Sequence, residues 1–352
     1  MIARRLAVAA LLFAPVVGTA PASAQQTPIT APAGQTWRHD STGLAVPATL
    51  AGLPRGDMVD LSGGKQLDVM AQYGTPETTE VTLYLFRPGL MDVSIWFDRI
   101  ETLVRNRPVY GTPTPAGAVG AFTAPGAAGE SALRRSYVPG KPPYAGTAAA
   151  LMPFGRWLVG LRISSKTLAP AALDEQLTAA IAGLGWPATA AAPAPRAAAI
   201  AECARPIAPD AKAKLIAPNL QDALLGAGAV KAAENQAASA TAKPASPRWC
   251  RSGPATAPFA IYRNEDAPGY VIAFGDAGTA IEVGPSVAGK LQNGTDRYSV
   301  SLHATTATLI FPDFDRLPAP AAVIAMVQKT RPMAMVDVTG KSIQLDAKTL
   351  SK

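Results

Sequence analysis

Residues 81–108 read VTLYLFRPGLMDVSIWFDRIETLVRNRP and hold the clearest secondary-structure signal in the chain. The first six are dense in β-formers and precede an Arg-Pro-Gly turn signal, so they predict a strand. Asp92 can then cap a helix, because apolar residues recur at helical spacing after it. These apolar residues are Val93, Trp96, Phe97, Ile100, Leu103 and Val104. The helix should end before Pro108, because proline disfavours helical geometry in the preceding residue.

The segments that follow complete an α+β pattern in the first part of the chain. Residues 132–138, 148–152 and 157–163 are predicted as strands, and residues 170–184 as a second amphipathic helix. In this order of elements, helices can cover one face of an antiparallel sheet.

The later part of the chain predicts a second α+β unit that is richer in strand. One or two alanine-rich helices are expected between residues 210 and 238, interrupted at Pro218, with a helix break at Gly226-Ala227-Gly228. Strands are predicted at 259–262, 270–274, 280–283, 298–303 and 306–311. A helix at 318–329 and a closing hairpin of residues 333–338 and 342–345 follow.

Runs of proline and small residues suggest how the chain is divided. The run at 187–200 is typical of a semi-rigid linker, so we place a domain boundary there. The resulting prediction is two α+β domains with mainly antiparallel sheets, at 37–186 and 201–352. A disordered leader at 25–36 and a flexible segment at 226–247 are also expected.

The N-terminus has the three parts of a secretory signal peptide. Arg4 and Arg5 precede an apolar stretch at 6–20, and small residues lead to a predicted cleavage site between Ala24 and Gln25. The apolar stretch is shorter than the roughly 20 residues of a membrane span, and no later segment approaches that length. The prediction is a periplasmic protein whose mature chain, residues 25–352, has no transmembrane segment, with secretion beyond the periplasm as the alternative.

Composition is that of a globular protein with a modest positive charge. Of 352 residues, 48% are hydrophobic and 16% charged, and the formal net charge of +7 falls to +5 without the signal peptide. The basic residues are scattered, and nothing resembles a phosphate-tracking stripe interleaved with aromatic residues. Nucleic acid is therefore not an expected partner.

Cys203 and Cys250 are the two cysteines of the chain. A single pair in an oxidising compartment most often forms a disulfide, and closing a loop of roughly 48 residues would contribute about 4 kcal/mol on the chain-entropy model. Two reduced thiols or a redox site are the alternatives. The spacing is far from C-x-x-C, so the structural disulfide is the prediction.

Motifs that would identify a cofactor or a metal are lacking. His39 and His303 are far apart in sequence, and neither lies in a metal-binding motif. The glycines near residue 226 lack the third glycine and the preceding strand of a dinucleotide fingerprint. No metal, no cofactor and no catalytic residue are assigned.

Two weak patterns keep an enzyme as the alternative. Ser62-Gly63-Gly64-Lys65 matches S-x-x-K, but two glycines between serine and lysine favour a loop over the required helix turn. Asp313 and Asp315 are expected in a solvated turn, where carboxylates usually bind backbone amides. The leading hypothesis is therefore a non-catalytic binding or accessory protein of the cell envelope, with an envelope protein or a glycan as partner. The alternative is a periplasmic hydrolase with a Ser-Lys or carboxylate site.

The chain also resembles a group of proteins whose functions have not been characterised. Residues 155–163, which read GRWLVGLRI, and the segment around Gly275-Asp276-Ala277-Gly278 are similar to uncharacterised exported proteins of alphaproteobacteria. The resemblance implies export and a two-part layout, and it implies no active site.

Overall fold

The structure is a computed structural model that describes residues 26–188, 195–237, 247–293, 296–338 and 341–350. We call residues 26–188 the first half and residues 195–350 the second half. The predicted signal peptide, with its cleavage site between Ala24 and Gln25, lies outside the described residues, as do residues 238–246 of the predicted flexible segment.

The first half contains twelve strands, ten of which form one antiparallel sheet, and two helices. Its strands are β1 Thr27–Pro28, β2 Trp37–Arg38, β3 Ala45–Val46, β4 Thr49–Leu50, β5 Leu53–Asp60, β6 Asp68–Gly74, β7 Thr79–Phe86, β8 Thr114–Pro115, β9 Gly120–Thr123, β10 Glu130–Val138, β11 Gly146–Phe154 and β12 Trp157–Ser165. The helices are α1 Val93–Arg105 and α2 Pro170–Gly183. The strand order is β1-β5-β6-β7-β12-β11-β10-β8, with β4 beside β5 and β9 beside β10, while β2 and β3 form a separate ribbon.

The second half forms a nine-stranded sheet in which neighbours in sequence are neighbours in space. Its strands are β13 Ala201–Glu202, β14 Trp249–Arg251, β15 Phe259–Asn264, β16 Tyr270–Phe274, β17 Thr279–Pro285, β18 Tyr298–His303, β19 Ala307–Phe314, β20 Ala334–Asp337 and β21 Ile343–Leu345. The helices are α3 Leu220–Ala237, α4 Val287–Asn293, α5 Pro320–Lys329 and α6 Ala347–Leu350. Every pairing is antiparallel except that of β13 with β14.

The two helices of the first half lie on opposite faces of its sheet. α2 packs on β10, β11 and β12 and buries Leu173 and Leu177 in a core with Ala150 and Leu161. α1 contacts β10 and β11 from the other face, where Leu151 belongs to its core cluster. Alternate residues of one strand point to opposite faces, which is why Ala150 and Leu151 serve different helices.

α1 is also covered by the second sheet. It contacts β15 and β16 as well as β10 and β11. One core cluster contains Trp96 and Phe97 of α1, Leu151 of the first sheet, and Tyr262 and Ala273 of the second. The helix is therefore enclosed between the two sheets, and the halves share this part of their core.

Charged side chains of α1 are buried along with the apolar ones, and each finds partners. Arg99 is 0% exposed and donates to the backbone oxygens of Thr256, Ala257 and Gly275 at 2.6–2.8 Å. Asp98 accepts hydrogen bonds from Tyr262 Oη at 2.7 Å and from Arg251 Nη1 at 2.6 Å. All these partners of Arg99 and Asp98 lie in the second half, so polar contacts as well as apolar packing join the halves.

The predicted α+β class and the main elements are confirmed. Asp92 caps α1 by accepting a hydrogen bond from Ile95 N at 2.9 Å, as the sequence predicted. Cys203 and Cys250, 47 positions apart, form the predicted disulfide. The bond joins β14 to the residue that follows β13, two strands that run side by side.

The expectation that the second half is richer in strand was wrong. Its sheet has nine strands and that of the first half has ten. The missed strands include β5 and β6, which read LPRGDMVD and DVMAQYG. Glycine, proline and aspartate are depleted in strands, so the composition of these segments disfavours a strand. What stabilises them is packing against side chains of neighbouring strands, which the local sequence does not show.

Two predicted irregular segments are partly ordered. The expected leader contains β1, whose Thr27 and Pro28 pair with Asp60 and Val59 of β5; an edge strand tolerates proline because one side needs no partner. The expected break at Gly226 is wrong, since α3 runs through it to Ala237. A Cβ at Gly226 would lie 3.0 Å from Ile310 Cγ2, so the glycine lets α3 approach β19 closely.

Candidate functional site

A cavity of about 420 Å³ lies where the first sheet, α1 and a turn of the second sheet meet. α1 makes most of its contacts to this sheet with β10 and β11, and the cavity lies beside it, against residues of β6, β7 and β12. From α1 the cavity takes Ile100, Leu103 and Val104, and from the sheet it takes Phe86 and Gly160. Most of its wall is therefore apolar.

Gly160 keeps the floor of the cavity open. It lies on β12 between Leu151 of β11 and Tyr84 of β7. A Cβ placed there would be 3.6 Å from Leu151 Cδ1 and from Tyr84 Cβ, which is ordinary van der Waals contact. The backbone thus accommodates a side chain at this position, and the glycine leaves that space to the cavity.

The turn that joins β16 to β17 forms one side of the cavity and is held in place by the first half. Its Asp276 and Ala277 line the cavity. Gly275 O accepts a hydrogen bond from Arg99 Nε at 2.8 Å, and Gly278 O accepts one from Gly89 N at 2.9 Å. A Cβ at Gly278 would lie 2.5 Å from the Cα of Pro88, so this close approach requires glycine.

Two arginines contribute positive charge to the cavity. Arg162 of β12 places its guanidinium over the Tyr84 ring, 5.9 Å from the centroid, and donates to Thr82 Oγ1 at 3.3 Å. Its ion-pair partner among the described residues is Glu80, whose carboxylate oxygen is 4.0 Å away. Arg107 follows α1, is exposed, and lies over the ring of Tyr110. Both guanidinium groups can bind an anion.

Asp68 contributes a carboxyl group with an unusual acidity. Burial, together with the negative charges of Asp276 and Asp60, raises its pKa to about 6. A raised pKa in a cavity is a common property of functional sites, though buried structural carboxyls share it. The carboxyl can therefore hold or release a proton near neutral pH.

The structure does not bring Ser62 and Lys65 together as a catalytic pair. Ser62 Oγ donates to Asp60 Oδ1 at 2.5 Å and accepts from Leu67 N at 2.8 Å, so it stabilises the loop between β5 and β6. Lys65 is exposed, and within the described part of the chain no hydrogen bond joins it to Ser62. The loop itself was predicted from the two intervening glycines.

Asp313 and Asp315 occupy different environments. Asp315 is exposed and accepts a hydrogen bond from Lys214 N at 2.7 Å. Asp313 was expected in a turn, but it lies in β19 and is buried. The strand continues past Pro312, where its pairing with β18 has an irregular register. Burial raises the pKa of Asp313, while a hydrogen bond from Ser286 Oγ opposes the rise. The two carboxyls do not form a shared site.

Both histidines are engaged in structural contacts. His39 is buried, and its Nε2 must donate to the carbonyl of Gln66 at 2.8 Å, since a carbonyl only accepts. Its Nδ1 then accepts from Thr42 N at 3.2 Å. Burial lowers the pKa of His39, which agrees with this neutral form. His303 contacts Thr308 Oγ1 at 3.2 Å and Glu282 Oε2 at 3.0 Å.

The cavity residues were not recognised as a site from the sequence. Asp68, Arg107, Arg162 and Asp276 lie in four separate segments and match no motif. Gly160 within the apolar strand WLVGLRISS was the one local signal, because glycine inside a strand often marks a close approach of a ligand or another backbone.

Other features of the described residues give no stronger site. They contain no cluster of three or more residues able to hold a metal ion. None of the helices in these parts of the chain combines the length and apolar character needed to cross a membrane. A more open groove of about 730 Å³ beside the end of α5 includes Lys329, Arg331 and Lys348.

Comparison with known proteins adds no assignment: no protein-family model, no curated protein and no solved structure matches this chain. The resemblance to exported alphaproteobacterial proteins therefore stays a prediction.

Proposed function

We propose that this chain is an exported periplasmic protein that binds a small ligand with an apolar body in the cavity between α1, the first sheet and the β16–β17 turn. The observation that carries the proposal is the cavity itself, which combines an apolar wall with a few charged groups. Binding sites for small molecules commonly have this composition.

The cavity wall indicates the kind of ligand. Leu103, Val104 and Phe86 offer no hydrogen bonds, whereas the hydroxyl groups of a glycan would need many. An apolar body is therefore favoured over the glycan expected from the sequence. An envelope protein as a further partner stays a prediction.

We also propose that the two halves are two α+β domains and that the site lies at their junction. The cavity takes α1 and the sheet floor from the first half, and Ala257 and Asp276 from the second. Ligand sites occur preferentially at such junctions. A ligand there would contact both halves and favour their association.

A neutral fluorescent probe tests the proposal. N-phenyl-1-naphthylamine should become brighter when it enters the cavity of the wild-type protein. Gly160→Leu should remove this response, because the leucine side chain would extend from the floor into the cavity. Gly160→Ala should weaken the response by less and covers the case in which the leucine variant does not fold.

Gly284→Leu is the matched control. Gly284 is also a glycine in a strand, and a Cβ there has no atom within 4 Å. This variant should keep the wild-type response, with thermal unfolding recorded for every protein. Equal responses from the Gly160 variants and the control, in proteins that remain folded, would show that the probe does not bind in the cavity.

A carboxylate hydrolase is the second candidate, and it rests on one observation. Asp68 and Asp276 line the same cavity, and the pKa of Asp68 is raised to about 6 by burial. A carboxyl group of that acidity can act as a general acid near neutral pH. Turnover of an ester or glycoside that Asp68→Asn abolishes in a folded protein would favour this candidate over binding alone.

A further inference from the structure

We propose that the ligand carries an anionic head group, a carboxylate or a phosphate, that Arg162 binds, and an apolar tail that lies along α1. This inference rests on the proposed function, because it assigns a chemical class to the ligand of the same cavity. Arg162 is the anchor in this arrangement, and Arg107 is a second cation nearby.

Arg162 has hydrogen-bonding capacity that the described part of the chain does not use. A guanidinium group has five N–H donors. Within the described residues, Arg162 donates one hydrogen bond, to Thr82 Oγ1 at 3.3 Å. Its side chain is 19% exposed, and its ion-pair partner Glu80 is 4.0 Å away, so most of its donors have no hydrogen-bond partner in the described residues. The planar fork of donors matches the oxygens of a carboxylate or a phosphate.

Two other arginines with equal or lower exposure have close partners. Arg99 donates to three backbone oxygens at 2.6–2.8 Å. Arg135 donates to Glu101 Oε1 at 2.9 Å and to Gly117 O at 2.8 Å. Arg162 differs from both because it lines a cavity and has one long hydrogen bond.

The described carboxyl groups that line the cavity do not form close ion pairs with Arg162 or Arg107. Within the described residues, no carboxylate of the cavity lies within 4.0 Å of the nitrogens of Arg162 or Arg107. Asp68 is opposite Phe86 of β7, whereas Arg162 is opposite Thr82. With about 3.3 Å per residue, these positions are about 13 Å apart along β7, so Asp68 lies away from Arg162. Asp276 lies nearer, since the positive charges of Arg162 and Arg107 partly oppose the rise of its pKa that burial causes.

Four probes with one tail and different head groups test the inference. Isothermal titration at pH 7.5 would compare decanoate, decyl phosphate, 1-decanol and decylamine. At least one anion should bind roughly tenfold to a hundredfold more tightly than the alcohol, because hydrogen bonds to a charged group are the stronger ones. The amine should bind less tightly than at least one anion; if it bound more tightly than both, the head group would lie at Asp68 and Asp276 and the inference would be wrong.

Variants then locate the head group. Arg162→Gln should lower the affinity for the anion far more than the affinity for the alcohol and so remove the advantage of the anion, while retained binding of the alcohol reports that the cavity is intact. Arg162→Lys should keep part of the advantage, because lysine retains the charge without the fork. Arg331→Gln is the matched control, since Arg331 belongs to the separate basic groove.

The outcomes separate this inference from the proposed function. If the alcohol binds as tightly as both anions, the anionic head group is wrong and the apolar ligand stands. If the advantage is lost in Arg331→Gln and kept in Arg162→Gln, the anion binds in the groove and the inference is wrong. If neither the alcohol nor the neutral fluorescent probe binds to the wild-type protein, the proposed function fails.

Discussion

Replacing Arg99 with methionine would test how strongly the two halves of the chain are joined. Arg99 lies in the first half, is 0% exposed, and donates three hydrogen bonds of 2.6–2.8 Å to backbone oxygens of the second half. Methionine keeps an apolar stem that ends at about the position of Nε, and it has no donor. The Arg99→Met variant therefore removes all three bonds together with the buried guanidinium group.

The expected loss follows from the contacts of Arg99. Hydrogen bonds to a charged group contribute about 1.5–3 kcal/mol each, so the three together represent at least about 4.5 kcal/mol. Two effects reduce this loss of stability. Methionine avoids the cost of burying a charge. Thr256 and Ala257 are exposed, so water can reach their backbone oxygens. We expect the free energy of unfolding to fall by about 2–4 kcal/mol.

Urea-induced unfolding, followed by tryptophan fluorescence and by circular dichroism, would measure the loss. The two signals should coincide for the wild-type protein and separate for Arg99→Met if the contact couples the halves. Arg248→Met is the control, because it removes an exposed ion pair with Asp266, and such pairs contribute little. If Arg99→Met loses no more stability than this control, Arg99 does not join the halves.

Three further predictions concern the cavity, the N-terminus and the disulfide. Because burial and the charges of Asp276 and Asp60 raise the pKa of Asp68 to about 6, the folded state holds this proton more tightly than the unfolded chain, and stability falls as the pH rises from about 4, where an ordinary aspartate ionises, to about 6. Asp68→Asn should therefore raise the free energy of unfolding by about 1–2 kcal/mol at pH 7.5 and change it little near pH 4, and no gain at pH 7.5 would contradict this. Intact-mass analysis of the exported protein should show a chain that starts at Gln25, and a full-length product would refute cleavage. Reduction of the disulfide should lower the free energy of unfolding by up to about 4 kcal/mol in the same urea assay, since the bond closes a long loop; equal midpoints with and without reductant would contradict that value.

The sequence predicted local elements well where one residue pattern was sufficient. α1 and its Asp92 cap, β7 and β16 follow from apolar spacing and turn signals over short windows. The disulfide could be predicted because two cysteines allow one pairing. Each of these features depends on residues that are close in sequence, or on a count.

Reasoning from residue spacing predicted only one of the faces that α1 buries. The apolar stripe predicted one buried face, but Asp98 and Arg99 outside that stripe are buried as well. Their burial depends on carbonyl and hydroxyl groups more than 150 positions away, such as Gly275 O and Tyr262 Oη. Spacing within a helix carries no information about partners so distant.

The candidate site was missed for a related reason. Ser62 and Lys65 matched a motif of residues that are close in sequence, and in the structure they lie in a loop. The cavity instead combines side chains from four segments, and the properties that distinguish them arise only after folding. Burial raises the pKa of Asp68, and Arg162 has one long hydrogen bond within the part of the chain that the structure describes.

The enclosure of α1 means that the first half cannot complete its structure until the rest of the chain is present. Arg99 precedes its acceptor Gly275 by 176 positions. A chain that ends before that acceptor has one helix without its second cover, and its Arg99 guanidinium lacks all three acceptors. For the exported chain that we propose, this state lasts until the second half has also crossed the membrane. A chain truncated after residue 188 should therefore be cut by proteases within α1, whereas the full chain should resist cleavage there.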